Sequence, residues 1–98
     1  MDTPLTVIAR LQAKPEHTGE LLDALNQLVQ ATRKEPGCVH YDLYRSDEDP
    51  TVFAFHETWA SRAHWEAHNA SPHISDFGAR APDLLAGPAQ VDPLYPVD

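Results

Sequence analysis

The side chains most able to do chemistry are concentrated in one stretch of the chain. Residues 35–74 contain five of the six histidines, both tryptophans and the only cysteine. Two strand-like runs in this stretch are joined by a polar turn and followed directly by a helical segment, so side chains from three elements can converge on one cavity. We therefore expect any reactive pocket of this protein to be built here.

His64 and His68 are the first candidates for metal ligands, because a spacing of four residues puts both on one side of a helix. In the zinc-protease motif the glutamate follows the first histidine directly, whereas Glu66 here is two positions on. A third ligand is not evident from the spacing, although His73 or Glu57 could reach. The alternatives are two solvated histidines or one histidine facing a pocket; we favour His68 as the pocket residue and expect no metal.

Glu57 is a candidate acid or base, because strand alternation places its carboxylate among Phe53, Phe55 and Trp59. Burial among apolar side chains raises the pKa of a carboxylic acid, and such a group can exchange a proton near neutral pH. Alternatively, Glu57 accepts hydrogen bonds from Trp59 or a histidine and only supports the fold. Both hypotheses stay open at this point.

Tyr41 and Trp59 are either core aromatics or the walls of a slot for a flat aromatic ligand. Cys38 is better interpreted as a small buried thiol than as a nucleophile, because no basic residue is tied to it by sequence. The chain has neither a phosphate-cradling glycine loop nor a dinucleotide fingerprint, so a tightly bound nucleotide cofactor is not expected.

Length and composition predict a single globular domain spanning residues 1–98. A chain this short buries a modest fraction of its surface, so a partner subunit is expected. The net charge of −8, with no basic cluster, argues against nucleic acid and anionic membranes as partners. The longest apolar run, residues 52–55, is too short to span a membrane, and the single Cys38 fits a reducing compartment, so we expect a cytoplasmic protein.

The hydrophobic pattern predicts strands at residues 5–13, 38–45 and 51–59, a helix at 16–34, helices at about 61–69 and 71–81, and a final strand at 91–95. This order is a split βαβ pattern and predicts a ferredoxin-like α+β sandwich. On the 51–59 strand neither side is polar enough to be simply solvated, so both faces of the sheet are expected to be covered. We expect helices on one face and a second subunit on the other.

Three segments, EPGCVHYDLY, FAFHETW and HWEAHNASPHISDF, together resemble the antibiotic biosynthesis monooxygenase superfamily, in particular its small quinol-monooxygenase-like members. The resemblance extends from the first strand through Phe77. It implies a dimeric α/β barrel, in which two ferredoxin-like sheets face each other and the C-terminal segment contacts the partner.

The resemblance also implies an activity, namely oxidation of a phenol, hydroquinone or related aromatic to a quinone by molecular oxygen, without metal or flavin. An enzyme is thus expected. The implied catalytic residues are His68 as base, Glu57 as its orienter or a proton relay, and Trp59 and Tyr41 as wall and hydrogen-bond donor. Substrate-binding candidates are Phe55 and Phe77 as lining, with His40, His64 and Arg80 as second choices.

Two alternatives stay open. Haem-degrading members of the superfamily have a similar tryptophan and histidine, but also an asparagine on the first strand, which here reads LTVIARLQA. The other alternative is a dimeric module that binds an aromatic metabolite without turning it over, which fold alone does not exclude.

Overall fold

A computed structural model of the chain describes residues 3–98, in which four strands and three helices follow in the order strand, helix, strand, strand, helix, helix, strand. Met1 and Asp2, part of the predicted 1–98 domain, lie outside the described residues. The elements are β1 (Leu5–Gln12), α1 (Thr18–Thr32) after a 3-10 turn (Pro15–His17), β2 (Cys38–Arg45), β3 (Val52–Trp59), α2 (Arg62–Asn69), α3 (Pro72–Leu84) and β4 (Gln90–Leu94).

The strands form one antiparallel sheet in the order β2-β3-β1-β4. Strand β3 lies between β1 and β2, with Leu5 opposite Trp59 on one side and Tyr41 opposite Glu57 on the other. This is the topology of the split βαβ unit, so the predicted ferredoxin-like α+β fold is confirmed. A bulge between Cys38 and His40 shifts the register at the start of β2.

The core lies between the sheet and the three helices. Alternate residues of β1 and β3 point into it, and α1 contributes the buried positions that its helical spacing predicts. Its principal members are Leu5, Val7, Leu11, Leu21, Leu25, Leu28, Phe53, Phe55 and Trp59.

The opposite face of the sheet is not covered by residues 3–98 of this chain. Ile8 and Thr58 on it are partly exposed and His56 is exposed, while Tyr44 is 58% exposed. Helices thus cover one face, as expected, and the cover expected on the other remains a prediction. Strand β4 pairs only with β1, and an edge strand is where Pro93 can lie without breaking a sheet ladder.

The junction between α2 and α3 is short and sets the direction of both helices. Ser61 caps α2 by accepting a hydrogen bond from the backbone N–H of His64, as its position predicts. Ser71 precedes α3, but its hydroxyl donates to the His68 carbonyl at 2.6 Å instead of capping the helix.

Helix α3 continues to Leu84, past the predicted end at residue 81. Pro82 removes only its own N–H, and the N–H of Leu85 still donates to the carbonyl of Ala81.

No helix within residues 3–98 combines the length and the apolar character needed to cross a membrane.

Gly37 links α1 to β2 in the left-handed conformation, with φ of 79°. A Cβ atom at this position would lie 2.2 Å from Cγ of the His64 ring, so the turn and α2 are in direct contact. The Gly37 carbonyl also accepts the N–H of Ala60 at 2.8 Å, which ties the turn to the end of β3. Backbone conformation and close packing therefore both require glycine here.

Gly37→Ala is expected to destabilise the protein by more than about 1–2 kcal/mol, since the strain of a left-handed alanine adds to the clash with His64. Gly19→Ala is the matched control, because Gly19 lies in α1 with nothing near its Cβ position. The control should be neutral or more stable by up to about 1 kcal/mol. Urea unfolding followed by circular dichroism measures both, and equal stability of the two variants would contradict the assigned turn.

Candidate active site

Two histidines converge on one carboxylate oxygen. His68 Nδ1 lies 2.6 Å from Oε2 of Glu35, and His73 Nε2 lies 2.8 Å from the same oxygen. Glu35 follows the end of α1, His68 is in the last turn of α2 and His73 is in the first turn of α3. The cluster therefore joins all three helices at one point.

Ser71 supports this arrangement from the α2–α3 junction. Its hydroxyl donates to the His68 carbonyl and lies 3.2 Å from His73 Nε2. With Pro72 favouring an immediate helix start, the chain places two imidazoles five positions apart on either side of a tight bend. The bend is what lets both rings reach Glu35.

The contact with Glu35 determines which nitrogen of His68 carries the proton. A carboxylate only accepts hydrogen bonds, so Nδ1 must be the donor and Nε2 keeps its lone pair. Thr32 Oγ1 is the only fully enclosed, unpartnered side-chain N or O atom in residues 3–98. His68 Nε2 also has no hydrogen-bond partner within these residues, but it is not fully enclosed. It must therefore border open space.

Burial lowers the pKa of His68, while its hydrogen bond to Glu35 and the charge of Glu35 oppose that shift. The net effect is a pKa below the usual value, which favours the neutral ring near pH 7. A neutral imidazole with a free Nε2 is the form that can accept a proton.

Glu57 lies on the sheet beneath these helices and is almost fully buried. Its Oε1 accepts a hydrogen bond from Trp59 Nε1 at 2.9 Å. Burial raises the pKa of Glu57 to about 7, although the bond from Trp59 lowers it, and the charge of Glu35 adds to the rise. Glu57 can therefore hold or release a proton near neutral pH.

Aromatic rings surround His68. The Trp59 ring centroid is 4.7 Å from that of His68, and the Tyr41 ring stands edge-on at 5.5 Å. Tyr41 in turn packs on Phe55 at 4.6 Å. Burial, followed by the charge of Glu57, raises the pKa of Tyr41 far above its usual value, so its hydroxyl stays protonated and can donate.

His68, Glu57, Tyr41 and Phe55 line a cavity of about 200 Å³. Its wall is mainly apolar, with His68, Glu57, Tyr41 and Asn69 as the polar side chains. The apolar lining residues are Ala9, Leu11, Leu28, Phe55, Trp65, Ile74, Phe77, Ala89 and Val91. A small apolar cavity with a few convergent polar groups is typical of a ligand site.

The family model described as antibiotic biosynthesis monooxygenase matches residues 4–80. The chain belongs to the antibiotic biosynthesis monooxygenase family. The match includes Glu35, Glu57, His68 and His73, so the whole polar part of the site lies in the family domain.

One relative agrees with this family member in both length and fold. Rv0793 of Mycobacterium tuberculosis, provisionally named a monooxygenase, is 36% identical over 98 residues, which are 100% of this chain and 96% of that protein. Its structure superposes with a TM-score of 0.92, at 34% identity, covering 98% of this chain and 97% of that one.

Two further relatives differ in what their names say. The Escherichia coli protein named "Probable quinol monooxygenase YgiN" is 31% identical over 83 residues, covering 74% of this chain and 80% of that protein. The uncharacterized protein sll1783 of Synechocystis is 32% identical over 90 residues, covering 92% of this chain. The chain spans only 61% of the length of sll1783.

Most residues proposed from the sequence of this family member lie at the cavity. Tyr41, Phe55, Glu57, His68 and Phe77 line it. Trp59 is fully buried behind His68, where it holds Glu57 through the indole N–H. The hydrogen bond from Trp59 is one of the two alternatives considered for Glu57, and Glu57 makes no hydrogen bond to His68 within residues 3–98.

The structure does not bring the three second-choice residues to the cavity. His40 is exposed and pairs with Thr58 on the uncovered face of the sheet. His64 Nδ1 lies 2.8 Å from the Ser61 hydroxyl, so of the two α2 histidines His68 is the one facing the pocket. Arg80 lines a neighbouring cleft with His73 and Phe77.

Glu35 is the functional candidate that sequence reasoning missed, and His73 was considered only as a ligand within reach. The one available signal was that Glu35 follows the C-terminus of α1, where the helix dipole disfavours a carboxylate. A carboxylate in that place calls for a donor from elsewhere in the fold. Cys38, predicted to be a buried thiol, is only partly buried. Burial and the charges of Glu35 and Glu57 raise its pKa, which disfavours the thiolate.

Glu57→Gln tests the buried acid through stability. The folded-state pKa of Glu57 is about 7, above the ordinary value of 4.5. Between pH 4.5 and pH 7 the folded protein therefore keeps a proton that the unfolded protein has released, so the free energy of unfolding falls as the pH rises through this range. The loss should total about 3 kcal/mol, and the variant cannot show it because its amide does not titrate. Urea unfolding between pH 4.5 and pH 8 should show that the stability of the variant rises relative to wild type by that amount. Free energies of unfolding that change in parallel with pH would contradict the raised pKa of Glu57.

Proposed function

We propose that the protein is a cofactor-independent monooxygenase that oxidises a single-ring phenol or hydroquinone with molecular oxygen. The observation that carries the proposal is His68, held through Nδ1 by Glu35 so that Nε2 is free at the wall of an aromatic-lined cavity. The family assignment and the printed name of YgiN support the same class of reaction.

His68 acts as the general base in this proposal. Its Nε2 takes the phenolic proton, and the positive ring that forms is stabilised by the Glu35 carboxylate on the other nitrogen. The resulting phenolate is rich in electrons and needs no metal or flavin to reduce oxygen. The protein's contribution is to orient the base and to exclude water.

The reaction balances with the substrate as the only source of electrons. The phenolate transfers an electron to oxygen, and the two radicals combine to form a C–O bond at a ring carbon that bears hydrogen. The ring hydroperoxide then loses water, leaving a new carbonyl. One oxygen atom ends in the product and one in water, so a phenol gives a quinone and a hydroquinone gives a hydroxyquinone.

Glu57 and Tyr41 complete the polar set. With a pKa of about 7, Glu57 can accept the ring proton that is lost when the hydroperoxide collapses, or return a proton to the leaving oxygen. Tyr41 stays protonated and can donate a hydrogen bond to an oxygen of the substrate. Trp59 fixes the position of Glu57 through its indole N–H.

The cavity is large enough for a single-ring substrate. Its volume of about 200 Å³ exceeds the roughly 150 Å³ of an apolar cavity that accepts benzene. Phe55 and Phe77 supply the apolar walls. The first strand lacks the asparagine of the haem-degrading members, so the haem-degrading alternative is not favoured.

A second subunit fits this proposal because the cavity is bounded on one side by the edge of the sheet. Ala89 and Val91 line it, and Val91 belongs to β4, whose residues are all exposed in one protomer. A homodimer packed through the uncovered sheet face would bury the other side of β4, at Gln90 and Asp92, and so hold in place the strand that closes this edge of the cavity.

Replacing His68 with alanine should lower the rate of hydroquinone oxidation by about 10²- to 10⁴-fold, the usual contribution of a general base. His17→Ala is the control, because His17 is a partly exposed residue that precedes α1 and pairs with Glu20. Oxygen consumption and quinone absorbance measure turnover for a panel of single-ring substrates. Circular dichroism checks that the variant is folded.

Two outcomes would contradict the proposal. Unchanged turnover in a folded His68→Ala protein would remove His68 as the base. A wild-type protein that binds aromatic compounds in the cavity but consumes no oxygen with any of them would favour the binding-module alternative.

The dimer is tested by changing the uncovered face. Ile8→Arg places a charge opposite His56 in the middle of that face and should convert a dimer to a monomer. Gln30→Arg, an exposed change on α1, is the control and should leave the mass unchanged. Light scattering during gel filtration measures both, and a wild-type monomer at micromolar concentration would contradict the dimer.

A further inference from the structure

We propose that Glu35, His68 and His73 form a binding site for a divalent transition-metal cation such as Zn²⁺. Each residue offers one ligand atom, and the three atoms lie within 4.8 Å of one another. They come from the turn after α1 and from two different helices, so the fold, not a local motif, assembles the set.

The chemical nature of the ligands favours zinc over the common hard cations. Two imidazole nitrogens and one carboxylate oxygen, with a further position left open, form a frequent zinc coordination set. Magnesium and calcium prefer oxygen ligands throughout. The Ser71 hydroxyl, 3.2 Å from His73 Nε2, lies beside the set and can hydrogen-bond to a water in the open position.

Only a small adjustment would admit the ion. Metal–ligand bonds of about 2.0–2.2 Å at tetrahedral angles place ligand atoms about 3.3 Å apart. The present separations from Glu35 Oε2 are 2.6 Å to His68 and 2.8 Å to His73, so these contacts must lengthen by roughly 0.7 Å and 0.5 Å. His73 can move because it lies in the first turn of α3 and its side chain is 25% exposed.

The site is also reachable from solvent. The side chains of Glu35 and His73 are 15% and 25% exposed, whereas His68 is 4% exposed and would be the inner ligand. The net charge of −8 raises the local concentration of cations around the protein.

Metal binding would have a consequence for His68, one that rests on the proposed function. Without metal, Nδ1 donates its proton to Glu35 and Nε2 is the base. A metal on Nδ1 displaces that proton, and the neutral ring then carries its hydrogen on Nε2, where it can donate but not accept. Zinc should therefore stop a reaction that needs His68 Nε2 as the base.

Binding itself is measured without any assay of turnover, by competition for Zn²⁺ between the protein and a chromophoric chelator. Wild type should bind one equivalent, and His73→Ala and Glu35→Gln should each weaken binding by more than about 100-fold, beyond the usual loss of a supporting group. His17→Ala is the matched control, because it removes a surface His–Glu pair whose atoms lie 2.9 Å apart. Mg²⁺ at the same concentration should not compete.

The metal site would be overturned if His73→Ala and Glu35→Gln bound Zn²⁺ as tightly as wild type, or if His17→Ala lost as much affinity as they do. Either result would assign zinc binding to surface histidines. Circular dichroism checks folding, and ring ¹⁵N spectra of wild-type protein give a second test that needs no variant. Zinc should move the His68 ring hydrogen from Nδ1 to Nε2, and an unchanged His68 spectrum with one equivalent bound would overturn the assignment.

The consequence for catalysis is tested separately. One equivalent of Zn²⁺ should abolish hydroquinone oxidation by wild type, and a chelator should restore it. Undiminished turnover with zinc bound would contradict the inference that the metal prevents His68 Nε2 from acting as the base. A wild type with no turnover at all would contradict the proposed function, while the competition and ring spectra would still decide the metal site.

Discussion

The hydrogen bonds from two imidazoles to one oxygen of Glu35 are the contact on which the site depends. They join the turn after α1 to the end of α2 and the start of α3, at a point where the surrounding side chains are mostly buried. A buried donor that loses its partner costs about 1–3 kcal/mol, so the cluster sets the relative positions of the helices as well as the orientation of His68. The cavity wall follows, because Trp65, Ile74 and Phe77 are carried by those same helices.

The two carboxylates near the cavity differ in the donors that they meet. Glu35 receives N–H groups from two histidines, and its charge acts to raise the pKa of Glu57 and opposes the lowering of the pKa of His68 by burial. Glu57 receives a single indole N–H among apolar side chains, and burial brings its pKa to about 7. Separation of two acids by their surroundings is how one site can supply both a charge and a mobile proton. In the proposed reaction, Glu35 in the helix layer supplies the charge and Glu57 on the sheet supplies the proton.

Local periodicity was enough to predict the fold and the part of the site that lies on regular elements. Alternation along β3 placed Phe55 and Glu57 on the core face, and helical spacing placed the buried stripe of α1. Adjacent strand residues point to opposite faces, so His40 and Tyr41 could not both reach the pocket. The bulge at the start of β2 shifts the register so that Tyr41, and not His40, lies opposite Glu57. Glu35 was beyond such reasoning, because 33 positions and the packing of three helices separate it from His68.

The space between Glu35 Oε2 and His68 Nδ1 is therefore the point at which the two proposals meet. A proton in that space makes His68 a base towards the cavity, since the opposite nitrogen keeps its lone pair. A divalent cation in the same space removes that lone pair, although it leaves the ring and the cavity in place. Because the ring has two nitrogens and, when neutral, one hydrogen, both states cannot hold at once. Whether the cavity faces a proton acceptor or a donor is thus determined on the far side of the ring, at Glu35.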